Sequence, residues 1–319
     1  MEARKINEFE AGIRVEGFFM IKTVDCKITN SNNKKYLDFV LCDKTGEISA
    51  KLWELSEGEE EQYKSNTIIK VRGSILSWQN NLQLKIEKLR NAEASDDVRV
   101  EEFVPTAPFQ PEEMFQRIKN YIDNMINEDI KNIVGIIFEQ NKDKLNYYPA
   151  AKKNHHAIRS GLLYHIMTML KAGDKLCEVY DFLNKDLLFA GVILHDMAKL
   201  YEMEANDLGI VNEYTIEGQL LGHITQGIKN IELVAESIGA DKEVTMLLQH
   251  MVLSHHYEPE YGSPVKPMIA EAEMLHYLDI IDARMYDIKK VTRDTKAGDF
   301  SERLWSLDNR RIYKPMLHQ

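Results

Sequence analysis

The sequence predicts a multidomain α and β chain, with a small five-stranded β barrel at the N-terminus followed by an all-α bundle. Three observations carry this. Residues 13–92 hold short runs rich in β-branched and aromatic side chains, one of them alternating with a period of two. Beyond residue 111 the apolar residues recur at helical spacing. Between the two the composition shifts, and Pro105, Pro108 and Pro111 occur without regular periodicity. At 319 residues the chain has room for two domains of about 100–200 residues each.

Ile13–Lys27 and Lys35–Cys42 read as strands, with Asn30-Ser31-Asn32-Asn33 as the turn between them. Asp43-Lys44-Thr45-Gly46 turns the chain into a third strand, Glu47–Trp53. The acidic stretch 56–64 reads as a short helix and Thr67–Leu76 as the fourth strand. In the fifth, Leu82, Leu84 and Ile86 alternate with Gln83, Lys85 and Glu87. Three strands, a short helix and two more strands follow the order of an OB-fold barrel, a pattern that other small barrels share. Residues 93–111 read as an extended linker. Met114, Phe115, Ile118, Tyr121, Ile122, Met125 and Ile126 then mark a first helix, with others expected at 130–138, 156–172, 185–196, 217–238, 241–254 and 267–290. The domains are therefore 13–92, the linker 93–111, a helical domain 112–291 and a tail 292–319, which reads as a flap, an oligomer arm or a mobile end.

Composition narrows the class. The start, MEARKINEFE, lacks the apolar stretch of a signal peptide, and the longest apolar run, near 187–194, falls far short of the roughly 20 residues that span a bilayer. No membrane partner is expected. Three cysteines without C-x-x-C spacing favour buried free thiols in a reducing cytoplasm over a Cys26–Cys42 disulfide. The net charge of −11 opposes nucleic-acid binding, but residues 13–92 carry 13 Lys or Arg against 11 Asp or Glu, four of these acids between Glu57 and Glu61. A local basic surface remains compatible with a phosphate backbone.

The chemistry concentrates in the helical half. VILHDMAKLYEM at 192–203 ends an apolar run with His195-Asp196, and His165, His223, His255-His256, Asp279 and Asp282 add nitrogen and oxygen ligands without a thiolate. Imidazole with carboxylate suits Mn²⁺, Fe²⁺, Co²⁺ or Zn²⁺ better than Ca²⁺ or Mg²⁺. So many candidate ligands exceed what one ion takes, so two divalent ions are expected, about 3.5–4 Å apart, for hydrolysis of a phosphate ester. Asp196 and Lys199 receive the catalytic roles: the carboxylate bridges, and the ammonium, one turn beyond His195, meets a phosphate oxygen. A solvated surface lysine is the alternative for Lys199. Asp279 and Asp282 share a helical face, so at least one reaches the metal. His155 and His156 are assigned supporting roles, His250 and His276 structural ones.

The order H…HD…H…HH…D in a helical frame resembles the HD-domain superfamily of metal-dependent phosphohydrolases. A longer match, with NHHAIRSGLLYHI at 154–166 and LHYLDIIDAR at 275–284 after an OB fold, resembles the YhaM family of bacterial 3′→5′ exoribonucleases over roughly 13–290. The resemblance implies His165, His195, Asp196 and Asp279 as the basic ligand set, with His223, His255 and His256 as the additional ligands of dinuclear members. Asp282 then joins the supporting residues. It also implies Mn²⁺-dependent trimming of single-stranded RNA from the 3′ end, with single-stranded DNA as a further substrate and nucleoside 5′-monophosphates as products.

An OB barrel holds single strands on aromatic platforms in a basic groove. Phe18, Phe19, Tyr36, Phe39, Trp53 and Trp78 are the aromatic candidates. Phe39 and Trp53, within apolar stretches, are expected in the core; Trp78, in a loop, and Tyr36, beside Lys34 and Lys35, are expected to stack on bases. Arg72 and Lys85, with Lys22, Lys27 and Lys70, follow the backbone. A homo-oligomer shaping a channel is compatible with these features. Competing readings are a phosphohydrolase of a small or cyclic nucleotide, a single-stranded-DNA-binding factor with an inactive HD domain, and a di-iron oxygenase.

Overall fold

The computed structural model describes residues 5–29, 33–56, 58–79, 81–153 and 155–317. Asn30, Ser31 and Asn32 of the first expected turn, with Glu57, Asn80 and Asn154, lie outside them. Two compact units divide between Thr106 and Ala107.

In the first unit, β1 (Arg14–Ile28), β2 (Lys35–Asp43), β3 (Gly46–Trp53), β4 (Ile68–Trp78) and β5 (Asn81–Asn91) close a barrel in the order β1-β2-β3-β5-β4. The N-terminal half of β1 pairs with β4 and its C-terminal half with β2, with an irregularity between Ile21 and Thr23. A single parallel pairing, β3 with β5, completes the closure. Alternation sorts the side chains. Phe19, Ile21, Leu37, Phe39, Leu41, Ala50, Ile69, Val71, Ile75 and Leu84 fill the interior, each contributing roughly 1.5–3 kcal/mol for the larger side chains. The acidic stretch 56–64 is not a helix. Among the described residues it holds only a 3₁₀ turn, Glu59–Glu61, because Gly58 adopts φ 78° and three adjacent carboxylates repel one another. Residues 93–106 belong to this unit: Phe103 and Val104 are buried, and the Lys44 amide donates to the Glu102 carbonyl at 2.8 Å.

The second unit is mainly helical. Its elements are α1 (Pro111–Asp123), α2 (Glu128–Gln140), α3 (Lys142–Leu145), α4 (Gly161–Val179), α5 (Lys185–Leu194), α6 (Lys199–Glu202), α7 (Ile216–Ile238), α8 (Lys242–Ser254) and α9 (Ala270–Asp294). Helix α5 is the core of the bundle: every residue from Leu187 to Leu194 is buried, as an all-round apolar helix requires. Its start is capped by the Asn184 side chain, which accepts from the Leu187 amide. Helix α4 begins at Gly161 and not at 156, because His156 and Ser160 take positive φ values of 52° and 58°. A hairpin, β6 (Met203–Ala205) with β7 (Val211–Tyr214), interrupts the expected all-α pattern. The tail folds back as bridged turns, Phe300 with Tyr313 and Leu304 with Arg310, with Leu307 buried against α9. All three cysteines are free thiols; Cys42 and Cys177 are buried, whereas Cys26, near the end of β1, is exposed. No helix among the described residues is long and apolar enough to cross a membrane.

Candidate metal centre

Five histidines and two aspartates from α4, the α5 end, α7, the α8 end and α9 meet in the interior of the second unit. Side-chain ligand atoms of His165, His195 and Asp196 lie within 4.8 Å of one another, as do those of Asp196, His223, His255 and His256. Asp196 belongs to both groups. Its Oδ2 lies 3.4 Å from His195 Nε2 and 4.0 Å from His165 Nε2, while Oδ1 lies 3.5 Å from His223 Nε2 and 3.9 Å from His255 Nε2. Asp279 Oδ1 sits 3.3 Å from His165 Nε2. His165, His195 and His255 are fully buried.

Each imidazole is fixed by the nitrogen that faces away. His195 Nδ1 reaches the Val192 carbonyl at 2.9 Å and His255 Nδ1 the Val252 carbonyl at 2.7 Å. His256 Nδ1 meets the Tyr261 carbonyl at 2.6 Å, His223 Nδ1 meets Glu202 at 3.2 Å and His165 Nδ1 meets Asp282 at 2.8 Å. In the neutral ring a carbonyl or carboxylate partner places the proton on Nδ1 and leaves Nε2 as the lone-pair nitrogen, which is how ligating histidines are oriented. Asp282 also bonds His156 Nε2 at 2.7 Å, so it stands behind His165 while Asp279 stands in front.

Four buried polar atoms here lack a hydrogen-bond partner: Asp196 Oδ1, His223 Nε2, His255 Nε2 and Asp279 Oδ1. An unsatisfied buried polar atom costs about 1–3 kcal/mol, so four in one cluster are unfavourable unless a ligand completes them. The donor set fits a divalent cation of intermediate hardness.

Electrostatics point the same way. Burial opposes ionisation of Asp196, but Lys199, His195 and His223 outweigh it and hold the carboxyl well below its ordinary range. Burial likewise opposes Asp279, and His165 reverses the balance. Burial, reinforced by His256 and His195, keeps His255 neutral; burial also lowers His256. His155 falls to about 4 through burial and the neighbouring His165. His165 goes up to about 10, because the carboxylates of Asp279 and Asp282 beside its two nitrogens overcome its burial. Lys199 is not a solvated lysine: its Nζ lies 2.7 Å from Asp196 Oδ2 and its side chain is 14% exposed.

Residues 14–92 match the OB-fold nucleic acid binding domain family and residues 162–284 the HD domain family. The 3′-5′ exoribonuclease YhaM of Geobacillus sp. (strain WCH70) is 44% identical over 314 residues, spanning 98% of this chain and 96% of the relative. The chain belongs to the YhaM family. Solved structures resemble it distantly. The second OB-fold domain of replication protein A from Methanococcus maripaludis is 18% identical, with a TM-score of 0.25 over 30% of this chain and 98% of that one. Aspartyl tRNA synthetase from Entamoeba histolytica is 11% identical, with a TM-score of 0.21 over 53% of this chain and 34% of that one.

In this YhaM-family chain the sequence reading overlooked Glu202, which holds His223 through both its Nδ1 and its backbone amide. Two glycines of α7 make that contact. Gly222 breaks the helix at φ 67°, ψ 167°, so that His223 restarts it with a free amide. Gly218 lies so close to α6 that a Cβ there would meet the Glu202 carbonyl oxygen at 2.2 Å. His250 and His276 lie outside the ligand groups; His250 Nε2 accepts from the Met268 amide and His276 Nδ1 meets the His255 carbonyl.

On the barrel, Trp53 is a correction. It is 39% exposed and not in the core, since Ile48, Ala50 and Leu52 take the inward phase of β3 and leave the next position outward. It stacks on Tyr36, its cross-strand partner, at 4.5 Å and 27°, with Lys51 Nζ 4.8 Å from the Tyr36 ring centre. Lys85 is the β5 neighbour of Lys51. Trp78 is 65% exposed, at the last position of β4 and not in a loop. Phe39 is buried. Lys22, Lys27, Lys35 and Lys70 are paired with Glu47, Asp38, Glu60 and Glu16, whereas Arg72 and Lys85 have no ion pair among the described residues.

Proposed function

We propose that this chain is a metal-dependent exoribonuclease that removes nucleotides from the 3′ end of single-stranded RNA, accepts single-stranded DNA, and releases nucleoside 5′-monophosphates. The observation that carries it is the set of five imidazoles tethered at Nδ1 and turned inward around Asp196. His165, His195, Asp196 and Asp279 would hold one divalent ion and His223, His255 and His256 a second, with Asp196 shared between them. Mn²⁺ is the first choice, with Co²⁺, Fe²⁺ or Zn²⁺ as ions the same donors accept. Such ions supply an activated water and neutralise the charge that develops on the phosphoryl oxygens. Burial keeps His255 and His256 neutral and therefore ready to ligate. Lys199, held at Asp196, lines the cleft over the cluster and offers its ammonium to a phosphate oxygen. His165 must give up its proton to ligate, so ion affinity falls as pH drops, by about tenfold per unit for one displaced proton.

Direction and product rest on the family; the relative's name states a 3′-5′ exoribonuclease. The test is a 5′-labelled single-stranded RNA with Mn²⁺, beside an EDTA control. A ladder shortening from the 3′ end and abolished by EDTA supports the assignment. Intact RNA under both conditions overturns it and favours a hydrolase of smaller nucleotides.

A further inference from the structure

The cleft above the metal centre, about 680 Å³, lies within the common range for ligand pockets of about 300–1,000 Å³. Its floor is polar, with Lys199, His223, His255, His256 and Asp279. Its wall is aromatic, and Trp305 comes to it from the tail.

Trp305 is 78% exposed. It is nonetheless held in place. It opens the 3₁₀ turn Trp305–Leu307, whose last residue is fully buried. The Leu304 amide donates to the Arg310 carbonyl at 3.1 Å and the Arg310 amide to the Leu307 carbonyl at 3.0 Å. Asp308 pairs with Arg284 of α9 at 3.1 Å, on the helix that also carries Asp279. Two other aromatic residues of the wall are engaged, while Tyr261, at the far side of the 255–262 turn, is also exposed. The Tyr257 ring packs on His276 at 4.7 Å with Lys266 Nζ 4.6 Å from its centre, and Tyr214 has Lys152 at 5.9 Å. The Trp305 indole has neither a ring nor a cation against it among the described residues. An anchored, uncovered indole beside a phosphate-handling floor suits a nucleobase, whose flat face stacks without regard to its identity.

We propose that Trp305 is the stacking platform for a base at the 3′ end of the strand whose phosphodiester reaches the metal centre. This rests on the nuclease reading. It makes the tail a working wall of the active site, and it predicts cleavage independent of base sequence.

The test uses the full chain as wild type, Trp305→Ala and Trp305→Phe. The substrates are a single-stranded RNA of about 25 nucleotides and the same RNA with abasic residues at its 3′ end. Trp305→Ala is expected to raise KM on intact RNA about 5- to 100-fold, the size of one lost base stack, with kcat changing less. Trp305→Phe should recover most of that loss, and the abasic RNA should not distinguish the three proteins. An unchanged KM in Trp305→Ala, or an equal loss on abasic RNA, overturns the platform. Adenosine 5′-monophosphate provides a readout without catalysis: it should quench a component of tryptophan emission that Trp305→Phe lacks. If wild type cleaves no RNA, the nuclease reading fails by itself. The platform then stands if that quench is present and falls if it is absent.

Discussion

The metal centre and the barrel surface solve recognition in opposite ways. At the candidate metal centre His165, His195, Asp196, His223 and His255 are buried and His256 and Asp279 half-buried, each imidazole is pinned from behind, and four polar atoms are left facing inward without partners. On the barrel the basic side chains are exposed and mostly paired with carboxylates, and the aromatic residues lie on an open sheet face. Chemistry that depends on displacements of tenths of an ångström needs preorganisation. Holding a strand of any sequence needs a surface that yields, with stacking and charge each contributing modestly. The difference predicts that the two regions fail differently when altered.

The largest effect is expected from Asp196→Asn, which keeps the shape and removes the charge shared by both ligand groups. Mn²⁺ affinity, measured by calorimetry, and RNA cleavage should both fall beyond the roughly 100-fold that loss of an outer partner produces. Retained affinity would break the comparison at its centre. Glu202→Gln and Asp282→Asn come next, at about 10–100-fold in Mn²⁺ affinity, since each fixes one imidazole from behind. RNA binding without metal should be unchanged in both. The barrel variant Tyr36→Ala/Trp53→Ala should weaken RNA binding in a gel shift about tenfold, since the two rings stack as one platform, and leave Mn²⁺ affinity alone. Smallest are Arg72→Ala and Lys85→Ala. Each should reduce the slope of log affinity against log salt by about 0.7 if its charge meets a phosphate of a single strand. An unaltered slope would remove that residue from the interface.

The contrast also explains what could be read from the chain. The His and Asp cluster was legible in residue type alone: histidines and aspartates embedded in apolar helices are costly unless they are used, so His195-Asp196 inside an apolar run is informative. Glu202 was not visible, because its partner His223 is 21 residues away and the contact depends on the glycine approach at Gly218. The β6–β7 hairpin escaped notice because its strands have only three and four residues. Trp53 was misplaced although its phase was available: Ile48, Ala50 and Leu52 face inward, which sends residue 53 out. On the barrel surface charge and aromaticity have several uses, so sequence alone could name candidates such as Lys22 and Lys70 but not their carboxylate partners.

His195 and His255 share one detail with a wider consequence. Each follows the last residue of its helix, and each directs Nδ1 at a carbonyl three residues back, Val192 and Val252, in that helix's final turn. Those carbonyls belong to the group that a helix end leaves without backbone donors. The imidazole therefore closes the helix with one nitrogen and, on the proposed assignment, would offer the other to an ion. On that assignment fraying of either terminus would release a ligand, and seating an ion would suppress the fraying. Amide hydrogen exchange in these two turns thus becomes a gauge of occupancy, readable without substrate, and loss of the ion would propagate into the bundle as local unfolding from α5 and α8.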